Sequence, residues 1–334
     1  MSVEQRTEYR EQQERTPMPI ILTSDFGNHL SPGECKIIMG RITRAFGYSQ
    51  APSVEVHDIE GFDIMDGGAQ LRQLAITQSR SLAHLDLPVA VKPEPAVFGI
   101  VVDPGVGSGR RIVIAQTESG NQYIGPDNTV LSLALGRESI TKAYAIKDEV
   151  YQGVAATFHG RDLIAPTAIQ LACHADPSKI SYLDGIDPKT IQTREISDGT
   201  VIHVDGYGGK QGEPNYGGNV KLEGQGIPTH EGERPTEVTV TLPKRIWHRG
   251  LPRRRFTATV GRTFEDVQEG GLLLYTGSSG DGSDTGEGHQ ELAIRNRKGR
   301  KSAAGKLQLY PGNEVGLEWK YPNQSGHTLF SRKK

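Results

Sequence analysis

The sequence contains few of the features that mark secreted or membrane-embedded proteins. Only two cysteines, Cys35 and Cys173, occur among 334 residues, which excludes a disulfide-based scaffold and an all-cysteine zinc site. No apolar run approaches the roughly 20 residues that a membrane-spanning helix needs, and the N-terminal segment lacks the apolar core of a signal peptide. These absences predict a reduced, cytoplasmic protein.

An excess of charge of one sign is also lacking. The 38 Lys and Arg residues nearly balance the 40 Asp and Glu residues, which leaves a formal net charge of −2. We therefore expect neither a nucleic acid nor a membrane as a partner of the whole chain. The 41 glycines, many of them after residue 200, are typical of turns between short strands.

The first part of the chain predicts a short tail followed by an α/β domain. Residues 1–17 are charged and nearly devoid of apolar side chains, so we expect a disordered tail. Over 18–192, strand-like runs alternate with helix-like segments, which predicts an α/β domain built on a parallel sheet. Strands are expected near 20–24, 54–58, 97–102, 111–116 and 121–124, and helices over 34–46, 67–85, 128–136 and 162–173. Ligands of such sheets bind at the carboxyl ends of the strands.

The second part, 193–334, predicts a smaller all-β, barrel-like domain, because short strand-like stretches are joined by glycine-rich turns. Strands are expected near 200–205, 236–242, 256–261, 272–276, 306–310 and 315–319. The segment GDGSDTGEG at 280–288 predicts a flexible loop.

Three loops of the first domain concentrate polar side chains. Asp25, in TSDFG, ends the first strand and could accept hydrogen bonds from a sugar diol or cap a turn. In VDPGVGSGRR at 102–111, proline and glycine allow a tight turn that lets Asp103 and Arg110 face each other, as site residues or as a structural ion pair. In TFHGRD at 157–162, His159 precedes a predicted helix and is either a reactive group or an ordinary loop histidine.

Several common site patterns are excluded. The run GVGSG at 105–109 is followed by a strand-like segment, so no helix N-terminus follows it to bind a dinucleotide pyrophosphate. The sequence has no phosphate-binding P-loop, no HExxH and no GxSxG. It also has no cluster of His, Cys, Asp or Glu residues at the spacing of metal ligands, so we expect no metal. Because the common nucleotide-binding motifs are absent as well, we expect no cofactor.

Taken together, four motifs resemble those of the S-adenosyl-L-methionine (SAM) hydroxide adenosyltransferases, or SAM hydrolases, the family that includes the fluorinases and chlorinases. The motifs follow the family's order along residues 18 to about 180: SDFG at 24–27, VDPGVGSGRR at 102–111, IGPDN at 124–128 and TFHGRD at 157–162. The second half resembles the family more weakly, in DGYG at 205–208, TFEDV at 263–267 and LAIRN at 292–296.

The resemblance implies a catalytic triad of Asp103, Arg110 and His159. Such enzymes cleave SAM with water to give adenosine and L-methionine, without a metal. This chemistry fits the residue types, because water needs activation whereas a sulfonium leaving group does not. Gly160, Asp103 and Val106 stand where halogenating relatives carry other residues, and the long fluorinase insertion is absent between 116 and 123, which favours water over halide.

The resemblance also implies a set of binding residues and an assembly. Asp25 would bind the ribose hydroxyls, Asp205 and Ser278 the methionine amino group, and Phe264, Arg295 and Asn296 the adenine. The family forms a homotrimer with sites at the subunit interfaces. Three departures at the methionine end concern Leu30, Gly209 and Ser279; after the inserted segment KQGEPNYGG, Asn219 is a candidate replacement for the asparagine missing at Gly209.

Three other functions are compatible with the sequence. The altered methionine-end residues would allow a non-catalytic protein that binds an adenosyl ligand, and a halide-using adenosyltransferase is a further alternative. The seven Lys and Arg residues in 244–262, with Trp247 and Phe256 among them, would allow single-stranded nucleic-acid binding. A charged face on a small β domain is more often a solvated surface than a nucleic-acid site. Because all three residues of the implied triad are present, we predict SAM hydrolysis.

Overall fold

The computed structural model describes residues 16–25, 30–47, 50–59, 63–80, 92–205, 218–224, 227–243, 255–277, 289–295, 302–322 and 329–330. The chain divides into two compact units, Met1–Arg194 and Glu195–Lys334. The predicted flexible loop at 280–288 lies outside the described residues, as does the predicted tail except for its last two residues.

The first unit contains a seven-stranded sheet in the order β2-β1-β3-β5-β4-β6-β7. Its strands are β1 Ile20–Ser24, β2 Val54–Asp58, β3 Val97–Val101, β4 Ile112–Thr117, β5 Gln122–Pro126, β6 Ile140–Ile146 and β7 Leu183–Ile186. Its α-helices are α1 Leu30–Ala45, α2 Ile64–Gln78, α3 Val130–Leu135, α4 Asp148–Tyr151 and α5 Ala165–Ala172. The predicted α/β class is therefore confirmed.

The sheet is mixed rather than parallel throughout. β1 pairs in parallel with β2 and β3, and β3 with β5, whereas β4 pairs antiparallel with β5 and β6, and β6 with β7. The link between β4 and β5 spans only residues 118–121, which permits a hairpin but not a parallel crossover. The strands β6 and β7, which the sequence patterns did not predict, extend this antiparallel part.

Each face of the sheet packs against its own helices. On one side the core combines Leu22 of β1 and Val101 of β3 with residues of α1 and α5 such as Met39 and Ile169. On the other side Ile21 and Ile100 pack with residues of α2 and α3. We call these the α1/α5 face and the α2/α3 face. Asp103 lies two residues beyond Val101, the last residue of β3, and so at the carboxyl end of this strand.

The second unit contains an eight-stranded sheet in the order β15-β14-β10-β11-β12-β13-β9-β8. Its strands are β8 Val201–Val204, β9 Val220–Leu222, β10 Glu237–Thr241, β11 Arg255–Val260, β12 Leu272–Thr276, β13 Gln290–Ile294, β14 Gly316–Lys320 and β15 Leu329–Phe330. One apolar core joins residues of β8 to β14. The second, smaller β domain that the sequence predicts is confirmed, with one short helix in addition to its strands.

The strand predicted at 306–310 is wrong, because this segment begins inside a short helix, α6, Ala303–Leu307. Ser302 caps the helix by accepting a hydrogen bond from the Gly305 N–H at 2.9 Å. The apolar residues at 303, 304 and 307 are all buried, which is helical spacing. The alternation of Leu307 and Leu309, both fully buried, produced the incorrect strand prediction.

Candidate active site

The loop after β3 folds back so that its two ends meet. Within it the Val106 N–H donates to the Asp103 carbonyl at 3.1 Å and the Ser108 N–H to the Gly105 carbonyl at 2.9 Å. Gly107 adopts a φ of +80°, and a Cβ there would lie 2.9 Å from the carbonyl oxygen of Ala156. The second loop therefore contacts the third loop, backbone to backbone, at a position that only glycine fits without strain.

This turn makes Asp103 and Arg110 a buried ion pair. A guanidinium nitrogen of Arg110, Nη2, donates to Oδ2 of Asp103, and the Arg110 and Asp103 side chains are only 7% and 9% exposed, respectively. A buried ion pair of this kind is stable only while both residues are charged, because a single buried charge without its partner is costly.

His159 completes the cluster from the third loop. Its Nδ1 lies 2.8 Å from Nη2 of Arg110, and the residue is 4% exposed. His159 directly precedes a π-helical turn, Gly160–Ile164, that leads into α5. Such turns are frequent at functional sites. The structure therefore brings Asp103, Arg110 and His159, predicted from two separate motifs, into one chain of contacts.

The contact between Arg110 and His159 decides where the imidazole carries its proton. A guanidinium has N–H donors and no acceptor, so Nδ1 of His159 must present its lone pair and the neutral ring is protonated at Nε2. Burial lowers the pKa of His159, and the charge of Arg110 lowers it further, against smaller opposing effects of Asp103 and Asp162. His159 is thus held as a neutral Nε2–H donor.

Three buried polar atoms of this cluster have no hydrogen-bond partner among the described residues: Oδ1 of Asp103 and both Nε and Nη1 of Arg110. Buried donors and acceptors are rarely left unsatisfied because each costs desolvation free energy. One free acceptor and two free donors beside a neutral imidazole N–H are suited to a small polar molecule such as water.

The IGPDN motif braces the second loop rather than joining the cluster. Nδ2 of Asn128 donates to the carbonyl oxygen of Val102 at 3.0 Å, directly before Asp103. Asp127 accepts from the Arg111 guanidinium at 2.6 Å and from the Gln192 N–H at 2.7 Å. The residues that flank Asp103 and Arg110 in sequence are therefore anchored by side chains that lie outside the second loop.

The third loop is held by Asp162. Its carboxylate accepts two hydrogen bonds from the Arg161 guanidinium, at 2.6 and 3.0 Å, and one from the Ala155 N–H at 3.2 Å. The Arg161 hydrogen bond is the main reason that the pKa of Asp162 is lowered. The Arg161 guanidinium also lies 4.5 Å from the centroid of the Phe158 ring, so the residues flanking His159 are tied together.

Asp25 lies at the neighbouring strand end. It follows β1 directly, and its N–H donates to the Val101 carbonyl at 3.3 Å. β1 and β3 are adjacent and parallel, so Asp25 and Asp103 leave the same edge of the sheet. Leu30, one of the residues where the sequence departs from the family pattern, is the first residue of α1.

The remaining predicted site residues belong to the second unit. Asp205 follows β8, Arg295 follows β13, and both strands flank β9 in an antiparallel arrangement, so these two residues leave the same sheet edge. Phe264 begins a short 3-10 helix, is 41% exposed, and packs against the Tyr275 ring at 6.0 Å between centroids. Ser278, Asn296, Gly209 and Ser279 lie outside the described residues.

Asp205 has two basic neighbours that the sequence patterns did not indicate. Its Oδ1 lies 3.5 Å from Nε2 of His203 and 3.7 Å from Nζ of Lys221. Burial raises the pKa of Asp205, but the hydrogen bond from His203 and the charge of Lys221 outweigh it, so the pKa is lowered. His203 and Lys221 are register partners on β8 and β9, a pairing that residue order alone does not show.

Arg295 is anchored within its own unit. It donates to the Val267 carbonyl at 2.7 Å and to the Glu265 carboxylate at 2.7 Å, which ties the end of β13 to the turn that begins at Phe264. Phe264 and Arg295 therefore lie at the same turn. Elsewhere in this unit, the side-chain amide of Asn219 donates to the Tyr275 hydroxyl at 3.1 Å.

Within the described residues, no group of three or more His, Cys, Asp or Glu side chains could hold a metal ion. Nor does this part of the chain contain a helix long and apolar enough to cross a membrane. Both cysteines are buried free thiols, and burial raises the pKa of Cys35 to about 11.

Residues 20–181 match the family model described as the SAM hydroxide adenosyltransferase N-terminal domain. A relative from Salinispora arenicola, named (R)-S-adenosyl-L-methionine hydrolase, is 32% identical over 225 residues, which cover 66% of this chain and 74% of the relative. A protein of the same name from Salinispora tropica is 28% identical over 312 residues, 90% of this chain and 97% of the relative.

Two solved structures share the fold. A conserved protein from Thermotoga maritima superposes with a TM-score of 0.61 at 23% identity, covering 89% of this chain and 99% of that one. A conserved protein from Thermus thermophilus does so with a TM-score of 0.60 at 24% identity, covering 90% and 99%. At these identities the likeness extends to the fold and no further.

Proposed function

Since this chain belongs to the SAM hydroxide adenosyltransferase family, we propose that it is an enzyme that hydrolyses S-adenosyl-L-methionine to adenosine and L-methionine. The observation that supports this most directly is the buried chain of contacts from Asp103 through Arg110 to His159. The hydrolase name carried by relatives that span most of this sequence supports the same reaction.

The reaction is a displacement at the ribose 5′ carbon. The oxygen of water forms a bond to this carbon while the carbon–sulfur bond breaks. The electron pair of the broken bond goes to the sulfonium sulfur. The leaving group is then a neutral thioether that needs no proton. The difficult partner is water, because its oxygen is a weak nucleophile until it gives up a proton.

The free atoms of the cluster match this need. Oδ1 of Asp103 can accept the water proton, while the free N–H groups of Arg110 and the Nε2–H of His159 stabilise the hydroxide-like oxygen that develops. Asp103, Arg110 and His159 are thus the proposed catalytic residues. Arg110 remains paired through Nη2 with Oδ2 of Asp103, which keeps the other carboxylate oxygen available.

The substrate contacts are proposed residue by residue. We assign Asp25 to the ribose hydroxyls, Asp205 and Ser278 to the methionine amino group, and Phe264, Arg295 and Asn296 to the adenine. The exposed ring of Phe264 is available for stacking on a base. We further propose a cytoplasmic homotrimer whose sites are completed at subunit interfaces, with no metal or cofactor.

The test is incubation of the purified protein with SAM, with and without chloride, followed by separation of the nucleosides. Adenosine and L-methionine in equal amounts support the proposal, provided that His159→Ala and Arg110→Lys abolish both. His57→Ala, a histidine on the edge strand β2, is the matched control and should retain activity. A 5′-chloro nucleoside would indicate a halogenase, and bound SAM without turnover would indicate a binding protein.

A further inference from the structure

Tyr151 is a residue outside the family motifs that contacts the candidate triad. It ends α4, a helix of four residues, and is a partly buried member of the core on the α1/α5 face. Its ring meets the His159 imidazole edge-on, with 5.3 Å between centroids and an interplanar angle of 72°. Aromatic pairs favour this geometry, so the contact defines the plane of the imidazole.

The other end of the same side chain holds the strand that follows Arg110. The hydroxyl oxygen of Tyr151 accepts a hydrogen bond from the N–H of Ile112 at 2.7 Å. Ile112 is the first residue of β4 and comes two residues after Arg110. One side chain therefore touches both sides of the Arg110–His159 contact, the strand start on one side and the imidazole on the other.

We propose that Tyr151 is a positioning residue that holds the plane of the His159 imidazole, so that Nδ1 stays aimed at Arg110. Its importance for turnover rests on the proposed function, whereas its effect on His159 does not. Without the Tyr151 ring, the plane of the imidazole could tilt about its bond to Cβ, which would turn Nδ1 away from Nη2 of Arg110.

Tyr151 acts by position and not by proton transfer. Burial raises the pKa of its hydroxyl above the usual value of 10, so the side chain remains neutral and protonated at physiological pH. The charged groups that act on His159 are Arg110 and Asp103 from the second loop and Asp162 from the π-helical turn. A smaller residue at 151 would admit water to the imidazole and so weaken the burial that lowers the pKa of His159.

The test compares Tyr151→Leu and Tyr151→Phe with matched variants of Tyr182. Tyr182 is a partly buried member of the same core, and its hydroxyl contacts Thr167 at 3.2 Å, so it offers a tyrosine of similar burial outside the triad. The readouts are the pKa of His159 by NMR, assigned with the His159→Gln protein, and the kcat and KM for SAM as functions of pH.

For Tyr151→Leu we expect kcat to fall roughly 10- to 100-fold with KM little changed, because the reacting groups are misaligned while substrate contacts remain. The pKa of His159 should rise, and the acid limb of the kcat profile should move to higher pH with it. Tyr151→Phe keeps the ring, so the pKa should stay close to wild type while kcat falls about two- to tenfold through loss of one hydrogen bond.

A Tyr151→Leu protein whose His159 pKa and pH profile match those of Tyr182→Leu would overturn the proposal, because Tyr151 would then be only a core residue. If the wild-type protein does not turn over SAM, the proposed function fails, but the NMR comparison still tests the orientation of His159 by Tyr151.

Discussion

Nδ1 of His159 lies 2.8 Å from Nη2 of Arg110, and this single contact assigns different roles to the two ends of the imidazole. The nitrogen nearest the guanidinium cannot gain a proton without placing two positive groups against each other. The other nitrogen carries the hydrogen and can donate it. The histidine is therefore suited to stabilise a developing negative oxygen, which agrees with the proposed role of the Asp103 carboxylate as proton acceptor.

The first prediction concerns pH. Because burial and the charge of Arg110 lower the pKa of His159 below 6.5, the neutral form required for activity persists through neutral and mildly acidic pH. We expect kcat to be flat down to about pH 6.5, the ordinary histidine value, and to fall only as the pH drops through the lowered pKa. Steady-state kinetics with stability checked at each pH would measure this.

Substitution of Arg110 provides the complementary check. In Arg110→Met the positive neighbour is gone, so the pKa of His159 measured by NMR should rise although the ring stays buried. An unchanged or lower pKa would contradict the proposed source of the shift.

The second prediction concerns the stability of the ion pair. Asp103→Asn or Arg110→Met leaves one buried charge without its partner, and each should lower the free energy of unfolding by about 3–5 kcal/mol. The double variant Asp103→Asn with Arg110→Met removes both charges and should lose much less than the sum of the two single losses. Urea denaturation measures all three.

Lys320→Met is the matched control for an exposed pair. Lys320 and Glu237 are 67% and 43% exposed and 2.7 Å apart, so we expect a loss of at most about 1 kcal/mol. Additive losses in the Asp103 and Arg110 double variant would argue against a buried, mutually dependent pair.

The third prediction concerns Asp205. If it binds the substrate ammonium, Asp205→Asn should raise KM for SAM with little change in kcat, because the contact is present in both ground and transition states. His203 and Lys221 keep the pKa of this carboxyl below its usual value, so the effect should not vary with pH across the neutral range. Asp198→Asn, an exposed position ahead of β8, should leave both constants unchanged.

Much of this architecture follows from local sequence. Hydrophobic runs and their periods predicted the α/β unit and most of its elements, and the turn-forming residues at 103–109 indicated that Asp103 and Arg110 could meet. The antiparallel half of the first sheet was missed because strand direction depends on the brevity of the link at 118–121 rather than on the strands themselves.

Other features depend on contacts between distant segments. Tyr151 lies in a short helix with no motif around it, and its importance appears only when α4 packs beside β4 and the His159 loop. The proton position on His159 likewise depends on which ring nitrogen faces Arg110, 49 residues away in sequence. Residue type and spacing carry no information about either.

The last prediction concerns the contact between the second and third loops. Gly107→Ala places a methyl group 2.9 Å from the Ala156 carbonyl oxygen at a φ of +80°, so the two loops must separate or strain. The left-handed conformation alone costs roughly 1–2 kcal/mol for a residue with a Cβ. Because Arg110 and His159 lie on these two loops, we expect a large loss of kcat with a modest loss of stability.

Gly109→Ala is the control within the same loop. A Cβ at Gly109 meets nothing within 4 Å, and its φ lies outside the left-handed range, so neither strain nor displacement should follow. Activity and the urea midpoint should both remain near wild type. Equal losses in the two variants would mean that general flexibility of the loop, and not the approach of Gly107 to Ala156, supports the alignment of Arg110 with His159.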